Sequence, residues 1–259
     1  MKHASRNEIL KSTLFAALPL LLIATSSTWA DEAQNKKWQG DVEAGMITTE
    51  GNSSSKSFKT GLKLAYEEDA WRHIGAFESF TAEKEDEGTA EKYFLEAKSG
   101  YTFSKNNYAF VYGNYTDDRF TEFDFQTSVS AGYGRLILDT ATQRWDAEIG
   151  PGHRITRSDD GDIDQETIVH IATNYAWRIS ETSRFEQTVL VEAGRTNTVT
   201  RSKSALVAKI NSAFSMKLGY TVTYNQELPE ATEAPDSTEE PEETYHADKE
   251  TTVSLLYAF

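Results

Sequence analysis

The chain contains no cysteine, and after its N-terminal segment it contains no long apolar run. Without cysteine it has no disulfide and is not a lipoprotein. A transmembrane helix needs ~20 predominantly apolar residues in a row, and the rest of the sequence offers none. The Gly-x-Ser-x-Gly motif of many hydrolases is absent as well. These absences exclude a lipid anchor, a helical membrane domain and one common hydrolase signature.

Basic residues are scarce relative to acidic ones. The 259 residues include 26 Lys and Arg against 41 Asp and Glu, which gives a formal net charge of −15. Residues 1–30 hold three basic residues and one acidic residue, so the chain without them carries −17. Binding to phosphates requires a basic surface. We therefore expect no nucleic-acid partner.

The N-terminal segment has the composition of an export signal. Three basic residues precede the short apolar stretch Leu14–Ala24, and Thr28-Trp29-Ala30 carries small residues where signal peptidase reads. The stretch is too short to span a membrane as a helix. We predict a cleaved signal peptide over residues 1–30 and a single barrel domain over residues 31–259.

Apolar and polar residues alternate along much of the remaining chain, which is the pattern of half-buried strands. Clear examples are Phe58–Tyr66, Val169–Ile179 and Met216–Tyr224, and the chain ends on apolar Val253, Leu255, Tyr257 and Phe259. Strands of this length exceed the usual ~5–6 residues and match the ~9–11 that cross a bilayer. We predict twelve strands, at 37–48, 56–67, 71–82, 91–103, 107–117, 122–135, 144–156, 166–179, 184–193, 203–213, 215–226 and 249–259. The predicted fold is all-β, an antiparallel transmembrane β-barrel.

The predicted connections alternate between tight turns and longer polar loops, as in outer-membrane barrels. The longest, residues 227–247, is acidic and contains Pro229, Pro235 and Pro241, so we expect a flexible surface loop. Aromatic residues cluster near strand ends, where an interfacial girdle is expected. These residues are Trp38, Trp71, Tyr93, Tyr101, Phe103, Tyr108, Phe123, Phe125, Trp145 and Trp177, with Tyr257 and Phe259 in the last strand.

If the apolar faces meet lipid, the opposite faces line the lumen. The candidates that we expect there are Lys59, Lys63, Glu96, Lys98, Arg144, Glu148, Arg154, His170, Arg178, Glu186 and Lys217. Both charge signs are interspersed and no ring of one sign is evident. Such an interior suits either a narrow water-filled path or a closed core of ion pairs. The sequence leaves a passive channel and a plugged structural barrel as alternatives.

Specific residues suggest two other functions, catalysis and metal binding. His170, near the predicted outer end of its strand, with Asp117, Asp118, Asp159 and Asp160 in nearby loops, has the elements of an Asp/His hydrolase site. Such pairs arise readily by chance at this charge density, so we expect no enzyme. The acidic segment 158–166 offers oxygen ligands but does not fit an EF-hand. We expect neither a bound metal nor a cofactor.

Several short motifs resemble those of one bacterial family. They are Thr49-Glu50-Gly51-Asn52-Ser53, Asp117-Asp118-Arg119-Phe120, Ser130-Ala131-Gly132-Tyr133-Gly134, Glu148-Ile149-Gly150-Pro151-Gly152 and Tyr257-Ala258-Phe259. In order and spacing they are similar to the YdiY-like salt-induced outer-membrane proteins, a domain of unknown function. The resemblance covers residues 37–259. It implies a monomeric outer-membrane barrel and no known catalytic residue or substrate.

Together these features predict a protein of the bacterial outer membrane. Its expected partners are outer-membrane lipid and lipopolysaccharide, with the barrel-assembly machinery during insertion. No residue accounts for a response to salt, for a particular solute or for an oligomeric state.

Overall fold

The computed structural model describes residues 37–49, 55–84, 87–119, 123–226 and 247–259. They form twelve strands: β1 (Trp38–Thr49), β2 (Ser55–Glu68), β3 (Trp71–Lys84), β4 (Glu87–Ser104), β5 (Asn107–Asp118), β6 (Phe123–Asp139), β7 (Gln143–Ser158), β8 (Ile163–Arg178), β9 (Ser183–Ala193), β10 (Thr198–Lys209), β11 (Phe214–Asn225) and β12 (Ala247–Ala258). The predicted signal peptide over 1–30 and nearly all of the predicted acidic loop over 227–247 lie outside the described residues. In the described part of the chain, no helix is long and apolar enough to cross a membrane.

The strands form one closed antiparallel barrel. Each strand pairs with its neighbours in sequence, and β12 returns to pair with β1. The predicted twelve-stranded antiparallel barrel is thereby confirmed. One end of the barrel, here called the terminal end, holds the start of β1, the end of β12 and the β2–β3, β4–β5, β6–β7, β8–β9 and β10–β11 connections. The opposite end is called the loop end.

Alternation along each strand separates an outer face from an inner face. On β8, Val169 and Ile171 are each 45% exposed, whereas the intervening His170 is 1% exposed. On β2, Phe58 and Leu62 share one face and are exposed, whereas Lys59 lies on the opposite face and is buried. Successive strand residues point to opposite sides of a sheet. The apolar set therefore faces outward and much of the charged set faces the lumen.

The predicted strand at 203–213 is wrong in position, because the observed strand begins five residues earlier and ends four residues earlier. The structure places β10 at Thr198–Lys209, where the Thr-rich start continues the ladders with both β9 and β11. The chain then turns over residues 210–213, because the Asn211 side chain accepts hydrogen bonds from the backbone N–H groups of Ala213 and Phe214, each at 2.9 Å.

The predicted sorting of loops by length is weaker than expected. Because β10 begins at Thr198, the β9–β10 connection at the loop end spans only residues 194–197, much like the turn at 210–213. The β3–β4 connection is as short as the β2–β3 turn, since β3 and β4 extend to Lys84 and from Glu87. Only the connection between β11 and β12 is much longer than the others.

Candidate functional site

Six charged side chains line a small cavity in the lumen, and we call them the lumen belt. They are Lys59, Glu78, Lys92, Arg201, Lys203 and Glu250, and the cavity measures about 30 Å³. They come from β2, β3, β4, β10 and β12, so closure of the barrel is what assembles them. Four cations face two carboxylates in this set.

The carboxylates of the lumen belt are paired with its lysines. Glu78 Oε1 accepts from Lys203 Nζ at 2.6 Å, and its Oε2 lies 3.4 Å from Lys59 Nζ. Glu250 Oε1 lies 3.5 Å from Lys92 Nζ. Each carboxylate thus already has at least one ammonium partner, which offsets part of its cost of burial.

Two belt residues extend across the lumen to the opposite wall. The guanidinium of Arg201 lies 4.3 Å from the ring centroid of Phe94, and Lys203 Nζ lies 4.5 Å from it. Strands β10 and β4, which carry these groups, are separated by five strands in either direction around the barrel. The cation–π contacts therefore span the lumen and narrow it to a constriction.

Arg201 differs from the other belt cations in its partners. Its Nη2 donates to Thr116 Oγ1 at 3.3 Å. Among the residues that the structure describes, no carboxylate forms an ion pair with it. Arg201 also lines a second cavity of about 40 Å³ toward the loop end, together with Lys92, Asp118 and Asp248. Arg201 thus places a guanidinium in the constriction, with Asp118 and Asp248 in the adjoining cavity.

A further ion pair lies beside the belt. Lys217 Nζ donates to Glu43 Oε2 at 2.7 Å, which joins β11 to β1 across the intervening β12. Glu43 is buried, and Lys217 is partly buried. The pair supplies charge of both signs next to the belt without changing the cation excess.

The β4–β8 wall of the lumen is packed more tightly than the belt, and we call it the aromatic wall. Tyr108, Phe110 and Tyr112 of β5 project inward, and the His170 ring lies 5.1 Å from that of Phe110 and 5.2 Å from that of Tyr112. Phe110 and Tyr112 pack with Ala172 and Leu190 as a buried cluster. These side chains fill the part of the interior next to the aromatic wall.

Charged groups in the aromatic wall converge on Glu148. Lys98 pairs with this carboxylate, Tyr108 Oη donates to it at 2.5 Å, and His170 Nε2 lies 3.7 Å from Oε2. Tyr108 also contacts Asp146 at 3.0 Å. Because several strands contribute partners to this one buried carboxylate, its contacts join β4, β5, β7 and β8.

Glycines on the inner face make room for this arrangement. A Cβ atom on Gly134 would overlap the Tyr108 ring, and one on Gly132 or Gly150 would overlap the backbone of the facing strand. These residues belong to two of the motifs that carry the family resemblance. Their absent side chains let the two strands approach closely and let the Tyr108 ring lie against the wall.

A third polar cluster lies near the loop end. Arg154, 1% exposed, pairs with Glu166 and donates to the backbone carbonyl oxygens of Asn197 and, at 3.2 Å, Glu192. The Glu192 side chain in turn accepts from Asn114 at 3.1 Å and from Ser128. Arg154 thereby ties the β9–β10 connection to β7 and β8.

The eleven lumen candidates named from the sequence divide between these regions. Lys59 belongs to the belt and Lys217 lies beside it, while Lys98, Glu148 and His170 meet in the aromatic wall. Tyr112 Oη donates to Glu96 at 3.1 Å, and Arg154 is in the loop-end cluster. The others, which lie toward the terminal end, are Lys63, Arg144, Arg178 and Glu186. Of these, Arg144 lies 3.9 Å from Asp139, and Arg184 donates to Glu186 at 2.7 Å.

The hypothetical Asp/His site is not formed as the sequence suggested. Because β8 begins at Ile163, His170 lies at mid-strand rather than near an end, and its carboxylate neighbour is Glu148. Asp118 instead lies 3.3 Å from Lys92, and Asp159 and Asp160 are exposed in the β7–β8 turn. Among the described residues, the acidic segment 158–166 forms no cluster suited to a metal ion.

Several residues of the belt were missed from the sequence. Arg201 was assigned to a loop because the strand was predicted to start at 203, yet it shares the parity of Lys203 and Lys209. Glu78 lies on a strand in which neither face is cleanly apolar. Tyr108, expected in the aromatic girdle, instead lies on the inner face, since both faces of β5 carry aromatic residues.

The outer face carries the other aromatic candidates at the terminal end. All eight of the following are exposed: Trp38, Trp71, Tyr101, Phe103, Trp145, Trp177, Tyr257 and Phe259. Their strands begin or end there, and Trp71 packs on Tyr101 at 4.9 Å between centroids. The rings therefore stand around one rim of the barrel.

These features define a closed twelve-stranded barrel with an apolar outer face and a charged interior. The sequence profile of the family described as "Protein of unknown function, DUF481" matches residues 42–259, and the chain belongs to this family. It is 29% identical over 231 residues to "Uncharacterized protein YdiY" of Escherichia coli (strain K12), covering 88% of this chain and 86% of that protein. The YdiY-like resemblance is confirmed.

Solved structures of similar topology include the NanC porin, with 10% identity, a TM-score of 0.48, and coverage of 85% of this chain and 97% of that one. Another is the translocator domain of the autotransporter NalP from Neisseria meningitidis, with 9% identity, a TM-score of 0.45, and coverage of 85% and 86%.

Proposed function

We propose that the protein is a bacterial outer-membrane barrel whose lumen is a narrow passive channel for small ions or solutes. The observation that carries the proposal is the lumen belt, a polar constriction with small cavities, inside a barrel whose outer face is apolar. A wide pore is not supported, because Arg201 and Lys203 extend from one wall to Phe94 on the other. A water-lined path beside charged side chains suits small hydrated species.

The membrane location is supported by the outer face itself. Large apolar side chains are exposed on every strand except β9, from Met46 on β1 to Leu255 on β12. Soluble proteins rarely expose contiguous apolar surface on this scale. In a membrane the same side chains would contact lipid instead of water, and the aromatic rim would correspond to an interfacial girdle.

We also propose that the protein is exported and then inserted into the outer membrane. The predicted signal peptide would deliver the chain across the inner membrane, and the barrel-assembly machinery would insert it. Outer-membrane lipid and lipopolysaccharide would then be its permanent partners. Fractionation of cells that express the full chain tests this location, with recovery in the soluble fraction as the contradicting result.

Planar-bilayer recording of the protein purified from such membranes tests the channel. Phe94→Ala removes the ring on which Arg201 and Lys203 rest, so we expect discrete conductance that increases by roughly twofold in the variant. Phe77→Ala removes the same ring from the outer face of the adjacent strand and should leave conductance unchanged. A heat-modifiability gel, in which folded and boiled barrels migrate differently, establishes that each variant is folded.

A sealed structural barrel is the second candidate, and the contacts that cross the lumen favour it. In that case the folded wild-type protein would be silent in the bilayer, and conductance in Phe94→Ala alone would identify these contacts as the seal. Its role would then lie in the envelope or at its surface loops.

A further inference from the structure

We propose that the lumen belt is a binding site for small oxyanions and that Arg201 determines its preference for anions. The inference rests on the proposed channel and names the class of solute that the constriction favours. Carboxylates and phosphates share the relevant chemistry, because each presents two or more oxygens that accept hydrogen bonds from a guanidinium.

Charge balance supports an anion rather than a cation. The four cations of the lumen belt exceed its two carboxylates, and Asp118, 3.3 Å from Lys92, offsets one of the two extra charges, which leaves a formal excess of one positive charge. The chain as a whole has a net charge of −15. A local positive excess within an acidic protein would attract an anion at the constriction even though the surface as a whole repels it.

Arg201 supplies the unmatched charge. Glu78 is held between Lys59 and Lys203, and Glu250 lies against Lys92, so these acids are already engaged. Among the described residues, no carboxylate forms an ion pair with Arg201, whose guanidinium lies over the Phe94 ring at 4.3 Å from its centroid. Stacking fixes the plane of a guanidinium while leaving its N–H edge free to donate.

The size of the cavity limits the ligand. The cavity measures about 30 Å³ and is also lined by Thr221 and Thr223, whose hydroxyl groups can donate to an anion. A single water needs ~10–15 Å³ in such a space. The site therefore suits a small inorganic or carboxylate oxyanion and is too small for an oligomeric solute.

The first test is the reversal potential of the bilayer channel in a KCl gradient. We expect the wild type to prefer the anion and Arg201→Gln to lower the anion-to-cation permeability ratio by roughly two- to fivefold, because few water molecules screen the constriction. Arg135→Gln is the matched control, since Arg135 is an exposed residue on the outer-face parity of β6. Equal ratios in the two variants would overturn the inference and leave the channel standing.

The second test measures binding without conductance. At constant ionic strength, inorganic phosphate should raise the thermal unfolding temperature of the wild type and of Arg135→Gln but not of Arg201→Gln, since a ligand of the folded state stabilises it. Phosphate stabilisation through Arg201 in a silent barrel would remove the channel but retain the anion site. Silence together with no phosphate effect would overturn both.

Discussion

At the residue scale, the pair of the partly buried Lys98 and the buried Glu148 contributes more to stability than the exposed ion pairs of the barrel. Glu148 is 4% exposed and accepts from Lys98 and Tyr108. Taking charges out of water is costly, so each buried charge depends on its partners. An exposed pair such as Arg72 and Glu67, at 2.9 Å, is screened by solvent and contributes little.

Glu148→Gln should therefore destabilise the barrel by ~3–5 kcal/mol, because it leaves the Lys98 ammonium without its carboxylate partner. Urea unfolding in lipid vesicles measures the change. Glu67→Gln is the control and should cost less than ~1 kcal/mol. The double variant Lys98→Met/Glu148→Gln should recover part of the loss, and a double variant less stable than Glu148→Gln would argue against this account.

Gly132 lies where β6 and β7 approach each other closely. A Cβ atom there would overlap the carbonyl oxygen of Ile149 and the Cα of Gly150, and backbone atoms cannot move aside as a side chain can. Gly132→Ala should cost ~1–3 kcal/mol, the range typical of overpacking. Gly75→Ala is the matched control, because its nearest neighbour would be Glu96 O at 4.0 Å. If both variants melt at the same temperature on a heat-modifiability gel, close strand approach is not what requires Gly132.

At the element scale, the joint between the first and last strands is the weakest ladder of the barrel. β1 pairs with β12 only over Asp41–Gly45 and Ser254–Ala258, extended by bonds between Gly40 and Phe259. On its other side β1 pairs with β2 along its full length. Fewer ladder bonds mean that this joint opens first when the barrel unfolds.

A disulfide across this joint should therefore stabilise the barrel more than one placed elsewhere. Ala44 and Leu255 are register partners there, and the chain has no cysteine of its own. We expect Ala44→Cys/Leu255→Cys to raise the unfolding temperature under oxidising conditions. The increase should exceed that of the control Leu206→Cys/Leu218→Cys, whose residues are partners within the longer β10–β11 ladder. Equal increases would show that opening does not start at the joint; reductant should abolish either gain.

At the scale of the whole molecule, contact of the apolar outer face with lipid is what distinguishes a membrane barrel from a soluble one. Leu95 is 53% exposed and lies near the middle of β4. Arginine at the bilayer midplane costs ~2–4 kcal/mol on the lipid face of a barrel. Leu95→Arg should therefore reduce the fraction of protein that folds into lipid vesicles, measured by heat modifiability.

The control for that experiment is a charge change outside the bilayer. Asp160→Arg alters an exposed residue of the β7–β8 turn and should fold into vesicles as the wild type does. If Leu95→Arg also folds as well as the wild type, the outer face does not meet lipid. That result would indicate a soluble barrel.

The fold could be read from the sequence to a large extent because strand alternation is a local property. The pattern around Phe58, Lys59 and Leu62 identifies both the strand and its two faces without knowledge of the neighbours. The prediction is wrong where the local signal is ambiguous. Both faces of β5 carry aromatic residues, so alternation does not assign Tyr108 to the inner face, and the Thr-rich start of β10 resembles a loop.

The sequence by itself thus determined a chain of alternating strands with an apolar face, and with it an antiparallel barrel. It also identified Lys59, Lys98, Glu148 and His170 as residues of the charged faces. Only the tertiary structure decided which of these side chains meet. Arg201 and Phe94 are more than a hundred positions apart and lie on opposite walls, so their contact depends on strand number and register around the closed barrel. Those are properties of the whole ring of strands, and no single segment encodes them.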